Sequence, residues 1–255
     1  MRCVHALALS RGRRIKGKSS VRAAALLISV LVTAVAGALA PVPAQIAQGQ
    51  QTVYKPPLRG APGQRVGGAS RGLDRASTPV LTIDLLAPDG HAGQTISQAP
   101  TLYYFASARV DQRTQLTISA PRRAMPLLET DIPAPRGPGL YAVRLADMRV
   151  RLDENTLYTW SISVITDPRE RANDIVASAS LLRAVPDPAL DGAVRAAPPQ
   201  RRAALFAQAG LWYDAVAAAA ETKDQDRHAA LDSLLDQIGL TEAARYDRQS
   251  AGGGR

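Results

Sequence analysis

The sequence predicts a mostly β protein: an antiparallel, immunoglobulin-like β-sandwich followed by a small α-helical C-terminal region. Three observations carry that expectation. In Leu157–Ile165, Tyr158, Trp160, Ile162 and Val164 alternate with Thr159, Ser161 and Ser163, the period of a strand with one buried and one wet face. Similar short alternating runs, separated by Pro/Gly breaks, occupy the chain between about Val80 and Arg183. After Pro186-Asp187-Pro188 the composition shifts to alanine and the apolar period lengthens to that of a helix.

Residues 1–44 read as an export segment. A basic stretch, Arg11–Arg22, precedes the 18-residue apolar run Ala23–Ala40, the order of a secretory signal. Pro41 disfavours cleavage after Ala38-Leu39-Ala40, so Val42-Pro43-Ala44 is the better site and leaves Gln45 as the new N-terminus. Arg13-Arg14 hints at twin-arginine export, but its flanks match poorly. The alternative is an uncleaved anchor, since 18 residues just span a bilayer. Both readings place the remainder outside the cytoplasm, periplasmic or secreted. Seven of the 31 Lys/Arg and none of the 22 Asp/Glu lie in this segment, which leaves residues 45–255 at only +2 against +9 for the whole chain. Charge therefore gives no support to nucleic-acid binding. The single cysteine, Cys3, also lies here, so the rest of the chain has neither a disulfide nor a thiolate metal site.

Residues 45–79 form an extended segment rich in Gly, Pro and Arg, centred on Pro56–Gly72, with Arg59, Arg65 and Arg71 six residues apart. No helix start follows and no Gly-Lys-Ser/Thr ends it, so it is not a nucleotide-binding P-loop. Three readings stay open: an ordered segment whose arginines reach carbonyls or carboxylates, a flexible linker, or an anion-binding loop.

Residues 80–185 carry the expected sandwich. Leu81, Ile83 and Leu85 alternate with Thr82 and Asp84 before the break at Pro88-Asp89-Gly90; Leu102–Ala106 is aromatic; Leu116 and Ile118 alternate with polar residues. Tyr141, Val143 and Leu145 follow the break at Pro133–Pro138, and Ile175, Ala177, Ala179 and Leu181 follow the Trp160 strand. Residues 186–245 are expected to form a helical hairpin cap. Gln200–Gln208 is a short helix; Trp212, Ala215, Val216, Ala219 and Ala220 make a helical stripe; Leu231, Leu234, Leu235 and Ile238 make another, stopped at Gly239. Gln208–Val216, with Gly210, Trp212 and Ala215, resembles the turn between the paired helices of a tetratricopeptide repeat, and one such unit is visible. Its apolar faces pack on themselves or on the sandwich, or else form a partner surface of Trp212, Tyr213, Leu231 and Leu235. Residues 246–255 are expected to be a disordered tail.

The pattern of Arg59, Gly60, Pro62, Gly63, Arg65, Gly67, Gly68, Arg71 and Gly72 resembles the start of the domain-of-unknown-function 928 family, exported proteins mainly of cyanobacteria. The likeness continues through Leu81–Pro88, Pro100–Phe105 and Tyr158–Asp174 and covers roughly Pro56–Leu240, including the turn Asp167-Pro168. The resemblance implies, in many members, one cysteine soon after the glycine-rich motif and another before that turn. This chain has Leu73-Asp74 and Thr166-Asp167 there, so it would hold the segment without a disulfide. The family's activity is unknown, so the resemblance supplies no reaction.

No catalytic constellation emerges. His91 follows Asp89-Gly90 in a turn and His228 opens a helix; both read as surface residues. Gly68-Ala69-Ser70-Arg71-Gly72 has the letters of a Gly-x-Ser-x-Gly elbow but no helix start after it, and Glu129/Asp131 and Asp153/Glu154 are too sparse for calcium and read as solvated edge residues. Asp167–Arg171 is the densest polar turn and is expected to pair with the arginines of the Gly-rich segment. The expected function is that of a non-enzymatic protein-interaction or envelope-assembly module without a cofactor or metal. Its partner would be an envelope or secreted protein, with no nucleic acid, and it would touch the membrane only through an uncleaved N-terminal segment. The alternative is a periplasmic small-ligand-binding β-domain using some of Tyr103, Tyr104, Phe105 and Trp160, residues whose alternation otherwise reads as core.

Overall fold

The structure, a computed structural model, describes residues 52–57, 61–69, 80–222 and 225–252, all within one unit, Gly49–Arg255. The expected export segment 1–44, Arg59, Gly60, Arg71 and Gly72 lie outside the described residues. Among the described residues ten strands precede five α-helices. The strands are β1 (Arg65–Val66), β2 (Gly68–Ala69), β3 (Thr82–Leu85), β4 (Gly93–Thr95), β5 (Thr101–Ala106), β6 (Thr114–Ser119), β7 (Leu128–Ile132), β8 (Gly139–Arg144), β9 (Thr156–Val164) and β10 (Ile175–Arg183). They form a sheet of order β2-β3-β5-β8 and a second of order β1-β10-β9-β6-β7. Pairing is antiparallel except that β4 joins β10 in parallel, through Leu181–Arg183, while β1 takes the neighbouring stretch of the same edge at Ser178–Ala179.

The strand β9 lies at the centre of the second sheet for the reason its alternation predicts. Tyr158, Trp160, Ile162 and Val164 are buried, and Thr159 is exposed on the other face. Trp160 sits across from Ala179 on one side and Ile118 on the other, so a small side chain leaves room for the indole. From the facing sheet, Ile83, Leu85, Leu102 and Tyr104 close on the same apolar cluster.

The helices are α1 (Pro188–Ala196), α2 (Pro199–Gln208), α3 (Trp212–Glu221), α4 (Gln225–Gln237) and α5 (Thr241–Gly252). Asp187 caps α1 by accepting from the Ala189 amide at 2.9 Å, with Pro188 at the first helical position. Instead of one hairpin there are two, α2–α3 and α4–α5, with the same turn chemistry. Gly210 and Gly239 each adopt positive φ, +77° and +74°, where a side chain would be strained. The next residue, Leu211 or Leu240, donates five residues back, to Phe206 O at 2.9 Å or Leu235 O at 3.0 Å. The step from Gly210 to Gly239 is 29 residues. The segment from residue 246 on, expected to be a disordered tail, stays helical to Gly252, because Ala243, Ala244 and Asp247 are buried in α5. Among the described residues no helix is long and apolar enough to cross a membrane.

Candidate functional site

The residues expected to form a partner surface are instead the joint between helices and sheets. Trp212, Tyr213, Leu231 and Leu235 are each 2% exposed or less. Helix α3 begins at Trp212, so its first two side chains both enter the β region. Trp212 Nε1 donates to Leu86 O at 2.8 Å. Trp160 Nε1 donates to the Tyr213 hydroxyl at 2.9 Å, which donates in turn to Ser180 O at 3.0 Å. This chain of bonds satisfies every polar atom that the two indoles and the phenol bury. Burial pushes the Tyr213 phenol far above its ordinary range, so it stays a neutral donor. The next residue, Asp214, accepts through its carboxylate from Thr95 Oγ1 at 3.0 Å and the Ile96 amide at 2.9 Å, clipping α3 to β4. Burial raises the Asp214 carboxyl to about 6, opposed by the Ile96 and Thr95 hydrogen bonds.

Onto this joint is laid an extended strap, Thr52–Pro57. Gln237 Nε2 and Ser233 Oγ donate to Thr52 O at 2.7 and 3.0 Å, and the Tyr54 amide donates to Gln237 Oε1 at 2.8 Å. The Lys55 amide donates to Ala207 O at 3.0 Å. Tyr54 is buried, edge-on to Trp212 and stacked on His91, whose Nε2 lies 2.9 Å from its hydroxyl. His91, expected on the surface, is therefore half-buried under the strap. The two hairpins thus hold the strap by its main chain, through Thr52 O and the Tyr54 and Lys55 amides, and by the buried Tyr54 ring.

The glycine-rich motif continues from the strap and reads as close packing. A methyl group on Gly63 would lie 2.3 Å from the Ala92 nitrogen, and one on Gly68 would lie 2.9 Å from the Val176 carbonyl carbon. Between them Arg65 donates to Ala87 O at 3.1 Å and to Ile238 O, at the C-terminal end of α4, at 3.4 Å. Its backbone amide donates to Asp89 at 3.4 Å. Pro62 is exposed and Gly67 passes beside the Asp84 carboxylate. The expected pairing of Asp167 with these arginines is not made by Arg65. The Asp167 side chain turns back to the Arg169 amide at 2.8 Å, and Arg171 bonds Asp174 and Gln115. Asp167 and Pro168 stay exposed, because the turn bonds within itself instead of reaching back to the glycine-rich segment.

Other expected residues separate cleanly. Glu129, Asp131, Asp153 and Glu154 are exposed, and no described group of His, Cys, Asp and Glu can hold a metal ion. Tyr104, Phe105 and Trp160 are core, with Tyr103 half-buried. Phe105 also floors a groove of about 310 Å³ between β5, β8 and α5, lined by Ser107, Pro138, Glu242, Arg245, Tyr246 and Gln249. Of the three readings of residues 45–79, the described part fits the ordered segment, with Arg65 reaching carbonyls, while the second hairpin was not expected. The signal for the latter was present: Gly239-Leu240, then Ala243-Ala244, repeats Gly210-Leu211, then Ala215-Val216, to within a residue.

No curated protein and no solved structure matches the chain. The family described as Domain of Unknown Function (DUF928) matches over residues 66–247, from the end of β1 into α5, and the chain belongs to that family.

Proposed function

We propose that the chain is an exported, non-enzymatic interaction module that works in envelope assembly, in the periplasm or outside the cell. The observation that carries this reading is the strap seat: two helical hairpins, braced on the sheets, hold an extended segment mainly by its backbone atoms. A surface of that kind fits an extended segment of an envelope or secreted protein in the same way. The N-terminal order of basic then apolar residues supports export, and any membrane contact would run through that segment alone. The sheets support a finer reading as an immunoglobulin-like sandwich. In that arrangement β3, β5 and β8 form one sheet, and β4 crosses to pair in parallel with the last strand of β10-β9-β6-β7. The Tyr158 hydroxyl, near the start of β9, accepts from the Asp153 amide at 2.9 Å, the tyrosine corner of such folds.

The test is site-specific photo-crosslinking in intact cells from Val53, 47% exposed on the strap, with Met125, 76% exposed on the remote β6–β7 loop, as control. An envelope protein captured reproducibly at Val53 and not at Met125 supports the reading. The same proteins at both positions, or none at Val53, sink it. A second reading, a small-ligand-binding domain, is favoured by the groove floored by Phe105 and Tyr246. It expects a small molecule to raise the melting temperature of the native chain and not that of Tyr246→Ala.

A further inference from the structure

Helices α4 and α5 are joined by a charged cluster that the strap seat does not use directly. His228 Nδ1 and Asp247 Oδ2 lie 2.6 Å apart. Arg248 Nη1 lies 3.1 Å from Asp236 Oδ2 and 3.7 Å from Asp232 Oδ2. Asp232 and Asp247 are both buried, and Asp232 Oδ1 is a buried oxygen with no hydrogen-bond partner among the described residues. A carboxylate left half-bonded beside a second buried carboxylate is costly, and a proton removes that cost. Burial first, then Asp247, push the Asp232 carboxyl up to about 6; Asp236 adds to this, and Arg248 and His228 oppose it. Of the other elements against α4, α2 carries Arg202, turned to Ala197 O, and the exposed Arg201; α3 ends in the exposed Glu221, and the strap brings the exposed Lys55.

We infer that the Asp232–Asp247–His228–Arg248 cluster is a pH-sensitive latch for the strap, closing α4 on α5 when it takes up a proton and slackening when the proton leaves. The coupling is built into α4. Ser233 and Gln237, which hold Thr52 and Tyr54, each follow directly after a carboxylate of the cluster, Asp232 and Asp236. A small rotation or lift of α4 away from α5 therefore moves both strap contacts at once. The direction follows from the chemistry: Asp232 holds its proton more tightly in the folded chain than unfolded. The latch is therefore firm on the acid side and weakens as pH rises through about 6. A strap that releases as the medium turns from acid to neutral would bare the seat to a partner, whatever that partner is.

Hydrogen exchange on the full-length chain, corrected for intrinsic rates, tests the latch. The Tyr54 and Lys55 amides report the strap and the Ile162 amide, in the central strand β9, is the reference. The strap-to-reference protection ratio should fall about fivefold or more between pH 5 and pH 7.5. In Asp232→Asn the ratio should hold its acid value at both pH values, and Asp247→Asn should flatten the fall likewise. A ratio in the native chain that does not change with pH overturns the latch. So does a folded Asp232→Asn or Asp247→Asn that keeps the full fall. If neither variant folds, the native ratio alone decides.

Discussion

At Gly63 an added methyl group would meet main-chain atoms of His91 and Ala92, which cannot move aside as a side-chain tip would. Gly63→Ala is therefore expected to cost about 1–3 kcal/mol, read as a lower urea midpoint with an unchanged slope. The same substitution at Gly192, which has open space around its Cβ position, should not destabilise and serves as the control. Asp214 makes a prediction of the opposite character. Its carboxyl is raised to about 6 in the fold, by burial before all else, so the native state keeps a proton that the unfolded chain has released. Between the unfolded value of 3.8 and about 6, native Asp214 binds more protons than unfolded Asp214, and stability falls as pH rises through that window. The loss levels off above it and amounts to at most about 3 kcal/mol. Urea midpoints from pH 4 to pH 8 check the slope, and Asp214→Asn should remove its share while Asp232 retains its own.

The three groups Trp160, Tyr213 and Ser180 belong to β9, α3 and β10, so one phenol ties a helix to two strands. Tyr213→Phe keeps the ring and orphans the Trp160 Nε1 donor and the Ser180 acceptor, for an expected loss of about 1–3 kcal/mol by thermal or urea unfolding. Strands such as β9 were legible because aromatic and β-branched side chains alternate over nine residues. By contrast β1, β2 and β4 are two or three residues long and contain or adjoin glycine, so no period can develop in them. They pair because the sheet edge recruits their backbone. In β7, Leu128, Thr130 and Ile132 alternate with Glu129 and Asp131, which are the solvated edge residues expected, but the strand that carries them was not anticipated. The stripe Trp212–Ala219 told that α3 buries a face; it could not tell that the face meets the sheets and the strap instead of a partner. That Thr52–Pro57 could be an ordered part of the extended segment was legible, but not where it docks, because its main-chain partners on α2 and α4 lie more than 150 residues away along the chain.

At the scale of the molecule, the helical cap packs on the sheets in one apolar cluster that runs from Ile83 and Trp160 through Trp212 to Leu234 and Ala244. A shared core makes separate unfolding costly: releasing α3 would strip Trp212 and Tyr213 from the sheets, and losing a buried tryptophan's contacts alone is worth about 3–5 kcal/mol. The strap adds to this, since Tyr54 packs on a helix residue and a loop residue of the β region at once. Sheets and helices are therefore expected to unfold as one cooperative unit. The chain supplies its own reporters, because its two tryptophans fall one in each part, Trp160 in β9 and Trp212 in α3. In Trp212→Phe the fluorescence follows the sheets, and in Trp160→Phe it follows the helices, while circular dichroism in the same sample follows total helix. Both replacements lower the overall midpoint by opening space in the core, so the comparison is made within each variant. The expected result is a single transition in which fluorescence and circular dichroism coincide in both proteins. If the helical signal is lost in Trp212→Phe while Trp160 stays in its buried environment, the cap is a separable element, and the shared core is too weak to couple it to the sheets.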